Sequence, residues 1–259
     1  MSKNILSLHN ISYSYHTIQG ETKALKDISF DLQQGEFLAI VGPSGCGKTT
    51  LLSIIAGLLT PQSGTIVLPH NSKDMRSSIG YMLQRDHLFS WRTIYQNAIL
   101  GLEIQNKLSD RTKAYVEHLL EEYELADFSD KYPDQLSGGM KQRVALIRTL
   151  ALNPDILLLD EPFSALDYQT RLNVSDDICK RIRKAGKTVI LITHDLSEAI
   201  SLSDRILVLS KRPSTIKYEL NIELDNEHRH PVRSRTIPEF GKYFNILWEE
   251  LQNESDSIN

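Results

Sequence analysis

The sequence predicts an α/β fold: a mostly parallel sheet, a small antiparallel β unit beside it and a helical lobe inserted into it. Three observations carry this reading. Short runs that are apolar on successive residues recur along the chain, helical patterns separate them, and a glycine-rich loop joins one such run to a helix. Strands buried on both faces read as continuous apolar runs, whereas half-solvated ones alternate.

The runs are Phe37 to Val41, Ile156 to Leu159, Val189 to Ile192 and Ile206 to Leu209, and they form the predicted parallel core. Ile79 to Leu83 is a further strand-like stretch, ending at Gln84. Ile5 to Leu8, Ile28 to Leu32 and Thr65 to Leu68 are brief and bounded by turn residues, which suits the antiparallel unit. From about 85 to 150 the pattern becomes helical. Val116, Leu119, Leu120 and Tyr123 share one helix face there while Glu117, Glu121 and Glu122 point elsewhere. Beyond Ser210, Ile216, Tyr218, Leu220, Ile222 and Leu224 alternate as in a half-buried strand. Phe240, Phe244, Leu247, Trp248 and Leu251 then form the stripe of a helix docked on the core, and Asn253 to Asn259 make a polar, frayed end. The expected division is one catalytic domain over 1–212, with the lobe at about 85–150, followed by a C-terminal strand and helix over 213–259.

With 41% apolar and 24% charged residues in 259, the chain has the composition of a folded globular protein. The formal net charge of -4 supplies no bulk basic field, so nucleic acid is not an expected partner and any membrane role must run through a protein. No apolar run reaches the roughly 18 residues that span a bilayer. Met1 to Leu8 lacks the apolar region of a secretory signal, so a cytoplasmic protein is expected. Cys46 and Cys179 show no pairing pattern, and His228-Arg229-His230 reads as a solvated turn rather than a metal site.

Gly42-Pro43-Ser44-Gly45-Cys46-Gly47-Lys48-Thr49-Thr50 follows one apolar strand and precedes the helix pattern that starts at Leu51, the context a phosphate-binding loop requires. Glycines let backbone N–H groups converge on phosphates, and a helix N-terminus favours negative charge. Lys48 reaches the β and γ phosphates and the Thr49 hydroxyl ligates Mg2+. ATP is the expected ligand. The run Ile156 to Leu159 ends in Asp160 and Glu161, two acids at the carboxyl end of a strand, where ligand sites of such sheets lie. Asp160 can help hold Mg2+ and Glu161 can polarise an attacking water. Leu136-Ser137-Gly138-Gly139-Met140 opens a helix expected over Met140 to Leu152, and forms a second anion-receptive surface. One nucleotide cannot easily use both loops of one chain, which points this one toward a second protomer.

Together these segments resemble the ATPase domains of ABC transporters: the Walker A loop at Gly42 to Thr49, the signature at Leu136 to Met140 and the Walker B strand at Ile156 to Glu161 occur in that family's order. The resemblance covers about residues 5 to 212 and implies a P-loop NTPase core. It implies that Gln84 is the Q-loop glutamine, a further contact to Mg2+, that Asp167 in Ser164-Ala165-Leu166-Asp167 belongs to the D-loop, and that His194 is the switch histidine. It also implies that Tyr15, rather than the competing Tyr13, stacks on adenine. Glu161, His194 and Gln84 are then the catalytic set, with Ser137, Gly138, Gly139 and Met140 contacting ATP held by another copy.

Segments from Leu88 to Asn97, from His194 to Ile200 and from Leu209 to Pro213 are similar to the importer branch for nitrate, sulfonates and taurine, with thiamine-precursor systems close by. Ser90 and Ser214 depart from that branch, which usually has Pro and Gly there. The implied partners are a transmembrane permease, a second ATPase subunit in a homodimer and, indirectly, an extracytoplasmic solute-binding protein, at the cytoplasmic face of the membrane. An exporter ATPase is the nearer rival. A soluble, non-transport ABC ATPase is the further one, since such proteins generally carry two cassettes or a long coiled-coil insertion that this chain lacks.

Overall fold

The computed structural model of the chain describes residues 3–18, 20–68, 78–225, 229 and 232–252. The expected polar end from Asn253 to Asn259 and the histidines His228 and His230 lie outside them.

Two sheets organise the molecule. A three-stranded antiparallel sheet, in the order β2-β1-β4, is built from β1 (Asn4–Thr17), β2 (Gly20–Gln33) and β4 (Ser63–Val67). The second sheet has six strands in the order β5-β6-β7-β3-β8-β9: β3 (Phe37–Val41), β5 (Ile79–Met82), β6 (Ile156–Asp160), β7 (Thr188–Ile192), β8 (Arg205–Leu209) and β9 (Ile216–Asn221). Its first five members are parallel, and β9 adds antiparallel to β8. The predicted fold class is the observed one.

The all-apolar runs are central strands because both faces of the sheet are covered. Every residue of β3, β6 and β7 is buried. Alternate residues of β3 enter different cores: Leu38 and Ile40 pack with Leu51 and Leu52, while Ala39 and Val41 pack with Ala199, Ile200 and Leu247. Burying a Leu or Ile side chain fully contributes about 1.5–3 kcal/mol, so these strands are anchored on both sides.

Strands β1 and β2 run much longer than the sequence suggests, and two compensating bulges contribute to this. Between Leu8↔Phe30 and Ile11↔Ile28 the first strand gains a residue, with Asn10 at φ 52°; between Ile11↔Ile28 and Tyr13↔Leu25 the second gains one, with Asp27 at φ 51°. Each extra residue breaks the period-two alternation that marks a strand in sequence. Side chains replace the ladder at both places: the Asn10 N–H donates to Ser29 Oγ (2.7 Å) and the Asp27 N–H to Ser12 Oγ (3.0 Å).

Helices complete the layers: α1 (Lys48–Ile55), α2 (Ile94–Ile104), α3 (Asp110–Glu122), α4 (Gly138–Leu150), α5 (Tyr168–Lys184), α6 (Leu196–Leu202) and α7 (Pro238–Gln252). The first starts at Lys48 rather than Leu51. The fourth starts two residues before the expected Met140, because Ser137 caps it by accepting the Met140 N–H at 3.4 Å. In α7, Phe240 and Leu247 are buried but Trp248 is 52% exposed, so that residue leaves the expected docking stripe. Arg229 is no part of a solvated turn. Its guanidinium donates to the carbonyls of Leu224 and Ser203 and pairs with Asp204 at 3.0 Å.

Candidate functional site

The five parallel strands end side by side, and each delivers a polar group to one edge. The loop after β5 carries Gln84, β6 ends in Asp160 and Glu161, β7 is followed by His194, β3 by the glycine-rich loop, and β8 by Arg212. A cavity of about 660 Å3 lies there, lined by Gly42, Ser44, Gly45, Gly47, Lys48, Thr49, Thr50, Gln84, Glu161, His194 and Arg212.

The loop around it needs its glycines. Gly47 sits at φ 117°, and a Cβ there would lie 2.9 Å from Leu25 Cδ2 of β2. A Cβ on Gly42 would come 2.9 Å from the Leu209 carbonyl oxygen. The loop is therefore pressed between the two sheets. Helix α1 has no side-chain cap and no acid in its first turn, so its leading N–H groups and positive dipole end face the cavity edge. Lys48 is buried and donates to the carbonyls of Gly42 (2.8 Å) and Pro43 (2.9 Å). Both acceptors are neutral and no ion pair to Lys48 is seen among the described residues, so the ammonium keeps its capacity to pair with an anion.

Asp160 is buried at the base of this edge, accepting from the hydroxyls of Thr49 and Tyr81, both at 3.3 Å. Burial raises its pKa above the ordinary carboxylate range, while those two hydrogen bonds oppose the shift. Burial, with the Asp160 charge beside it, also pushes the Tyr81 phenol up to about 12. Glu161 adopts a left-handed conformation, φ 45°, while its N–H donates to the Ile192 carbonyl at 2.9 Å. Holding a non-glycine residue so costs about 1–3 kcal/mol, and here it turns the carboxylate toward the cavity. Gln84 Nε2 donates to Glu161 Oε2 at 3.0 Å, and His194 Nδ1 lies 3.3 Å from the same oxygen. The catalytic set expected from sequence is thus assembled within one carboxylate's reach.

Tyr15 projects from β1 so that its hydroxyl meets Thr50 Oγ1 at 2.9 Å, with its ring half-exposed beside the loop. Tyr13 packs edge-on against it and joins the hydrophobic core instead. Cys46 belongs to the loop but not to the cavity surface. It is 2% exposed, and Lys48 Nζ lies 3.9 Å from its sulfur.

Ser137, Gly138, Gly139, Met140 and Asp167 do not line the cavity. Ser137 and Gly138 are exposed at the tip of α4, while a Cβ on Gly139 would press on Val174 (3.1 Å) and Thr170 (3.3 Å) of α5. Asp167 caps α5, and hydrogen bonds from Thr170 hold its pKa below the usual carboxylate value.

The segment after Gln84 is held by two internal side chains. Asn97, fully buried, accepts the Phe89 N–H at 2.8 Å and donates to the carbonyls of Phe89, Arg92 and Thr93. Arg148 donates to the carbonyls of Asp86 and His87. Phe89 and Trp91 are pushed outward as a pair with ring centroids 4.8 Å apart, and Trp91 is 73% exposed.

Sequence reasoning missed three residues. Tyr81 was only a strand position, although a phenol at the end of a core strand next to the acids is a visible signal. Arg212 carries no signal of its own beyond lying in the segment Leu209 to Pro213 that is similar to the importer branch. Glu198 was not singled out: it is buried on α6, accepts from the Thr193 hydroxyl, and its Oε1 has no partner among the described residues.

Comparison with known proteins agrees with this geometry. The family model described as ABC transporter matches residues 25–164. The taurine import ATP-binding protein TauB of Roseobacter denitrificans is 39% identical over 255 residues, covering 94% of each chain. The nitrate import ATP-binding protein NrtD of Synechocystis is 42% identical over 231 residues, covering 87% of this chain and 86% of that one. Among solved structures, the dimeric post-hydrolysis state of the ATP-binding cassette MJ0796, bound to ADP and Pi, superposes with a TM-score of 0.72 at 32% identity, covering 85% of this chain and all of that one.

Proposed function

Since the chain belongs to the ABC transporter family and is an ATP-hydrolysing, ATP-binding subunit of such a transporter, we propose that it powers import of a small solute of the taurine, sulfonate or nitrate class. It does so from the cytoplasmic face of the membrane, docked on a transmembrane permease that an extracytoplasmic solute-binding protein serves. Among the described residues no helix is long and apolar enough to cross a membrane. Residues 1–212 form the ATPase domain, with a helical lobe at about 85–150, and 213–259 a C-terminal strand and helix.

The observation that carries the mechanism is the joining of Gln84 and His194 on the Glu161 carboxylate at the mouth of the phosphate loop. ATP binds with its phosphates against the backbone of Gly42 to Thr50 and the Lys48 ammonium, and with adenine on Tyr15. Water attacks the γ-phosphorus as its bond to the β–γ bridging oxygen breaks and ADP leaves; Glu161 takes the water's proton, Gln84 and His194 fix the carboxylate's orientation, and Lys48 stays paired with the β-phosphate of the departing ADP. The residues also fit Mg2+. Thr49, Asp160 and Gln84 would offer it hard oxygen donors, and the Thr49 hydroxyl already lies 3.3 Å from Asp160 Oδ1. When bound, Mg2+ neutralises phosphate charge.

Ser137, Gly138, Gly139, Met140 and Asp167 complete the site of a second copy. That none of them is among the residues lining their own chain's cavity supports this reading, as does the dimeric state of the MJ0796 cassette. Mixing tests it. Lys48→Ala and Ser137→Arg should each be inactive alone, but each mixed dimer keeps one of its two sites intact; with about half of the dimers mixed, equal amounts together should regain about a quarter of native activity. No recovery overturns the shared site. Cells carrying Lys48→Ala should also stop accumulating labelled taurine or nitrate; unchanged uptake of both overturns the solute class.

A further inference from the structure

Arg212 is the one cavity-lining residue that the proposed mechanism leaves without a task. Resting on the reading of this cavity as the ATP site, we propose that Arg212 is a phosphate-binding residue: a second fixed cation that, with Lys48, holds the triphosphate.

Three observations carry this. The first is position: Arg212 follows β8, the immediate neighbour of β3, and lines the same cavity as Lys48 and Glu161. The second is availability. Its side chain is exposed and, among the described residues, makes no hydrogen bond or ion pair, whereas Arg183, Arg205 and Arg229 are all engaged with carboxylates. A guanidinium facing a cavity without an anion of its own matches phosphate, which it can grip through two parallel N–H···O bonds.

The third is rigidity, since a surface arginine on a loose loop would contribute little. The turn that carries Arg212 is closed at both ends. The Ser210 N–H donates to the Thr215 carbonyl (3.0 Å), the Ser214 hydroxyl to the Ser210 carbonyl (2.6 Å) and the Thr215 N–H to Ser210 Oγ (2.9 Å). It is also stapled to β2: the Ser214 N–H donates to the Ala24 carbonyl (2.9 Å) and the Lys26 N–H to the Ser214 carbonyl (2.8 Å). Leu25, between those two anchors, is the residue whose side chain abuts Gly47, and the Leu209 carbonyl abuts Gly42. The arginine turn and the phosphate loop therefore share one foundation, and the backbone that carries Arg212 is held beside the loop before nucleotide arrives.

The test is nucleotide titration of the full chain by calorimetry with a non-hydrolysable ATP analogue, ADP and AMP. Arg212→Ala should weaken the ATP analogue about tenfold, the usual size of a lost charge-assisted hydrogen bond, and AMP much less, at an unchanged melting temperature. Arg212→Lys should recover part of the loss. Lys48→Ala is the control. If Lys48→Ala loses the analogue and Arg212→Ala stays within twofold of native, this inference falls and the ATP site stands. If Lys48→Ala also binds normally, the ATP-site reading itself falls. Native analogue affinity with failed ATP-driven dimerisation in Arg212→Ala would give the arginine to the second protomer instead and overturn the phosphate role.

Discussion

His194 Nδ1 lies 3.3 Å from Glu161 Oε2, so the residue after β7 and the residue after β6 meet on one carboxylate oxygen. The same oxygen accepts from Gln84 Nε2, which leaves Glu161 oriented by two side chains from the two neighbouring strands. In the general-base role proposed for it, a carboxylate held from both sides would activate water and contribute nothing direct to phosphate binding.

Glu161→Gln should therefore separate binding from turnover. It keeps the side chain's shape and removes the charge, so ATP affinity should stay near native while hydrolysis falls on the order of a hundredfold or more. With hydrolysis blocked, a dimer should accumulate with MgATP on size-exclusion chromatography, and Lys48→Ala should stay monomeric. Native turnover by Glu161→Gln in the assembled transporter would move the catalytic role to His194.

Phe89 and Trp91 form an exposed aromatic pair whose backbone is pinned from below by Asn97. Phe89→Glu and Trp91→Glu should abolish co-purification of the permease and transport, yet leave ATP binding intact and the melting temperature within a few degrees of native. Exposed substitutions usually stay within about 0.5 kcal/mol. A collapsed melting temperature would mean that the pair is structural. Asn97→Ala should do the opposite, lowering stability by about 1–3 kcal/mol because buried backbone groups lose their partner.

Cys46 is 2% exposed beneath the phosphate loop. Alkylation should be slow in the folded chain, faster after urea unfolding, and slower still with MgATP, which holds the loop closed over the sulfur. Peptide mapping separates it from Cys179. Protein labelled at Cys46 should lose nucleotide binding; full ATPase activity after labelling would remove the loop from the phosphates.

Glu198 gives a pH prediction. Burial, ahead of every other cause, pushes its carboxyl from 4.5 up to about 7, while the Thr193 hydroxyl and Arg171 favour its charged form and Asp195 and Glu161 oppose it. The folded state thus prefers the protonated acid. That contribution is complete below about pH 4.5 and disappears as pH rises through about 7, with a total on the order of 3 kcal/mol. Melting temperature should fall across this window in the native chain more steeply than in Glu198→Gln, which cannot ionise. Equal slopes would show that folding does not raise the Glu198 pKa.

Much of the molecule is legible in the sequence because its signals are local. Four consecutive apolar residues before Asp160 and Glu161 mark a strand buried on both faces, and Gly42 to Thr50 between an apolar strand and a helix marks a phosphate loop wherever it occurs. The tertiary structure decided which loops meet. Gln84, Glu161 and His194 converge only because β5, β6 and β7 lie adjacent in the sheet, an order set by long crossovers and by packing on both faces rather than by any neighbouring residues. The bulges at Asn10 and Asp27 hid the length of β1 and β2, since a one-residue insertion erases the alternation that reveals a strand. Arg212 was silent for the same physical reason. An arginine beside a proline carries no local sign of the cavity it faces, and only the β8–β3 pairing and the staple to β2 bring it there.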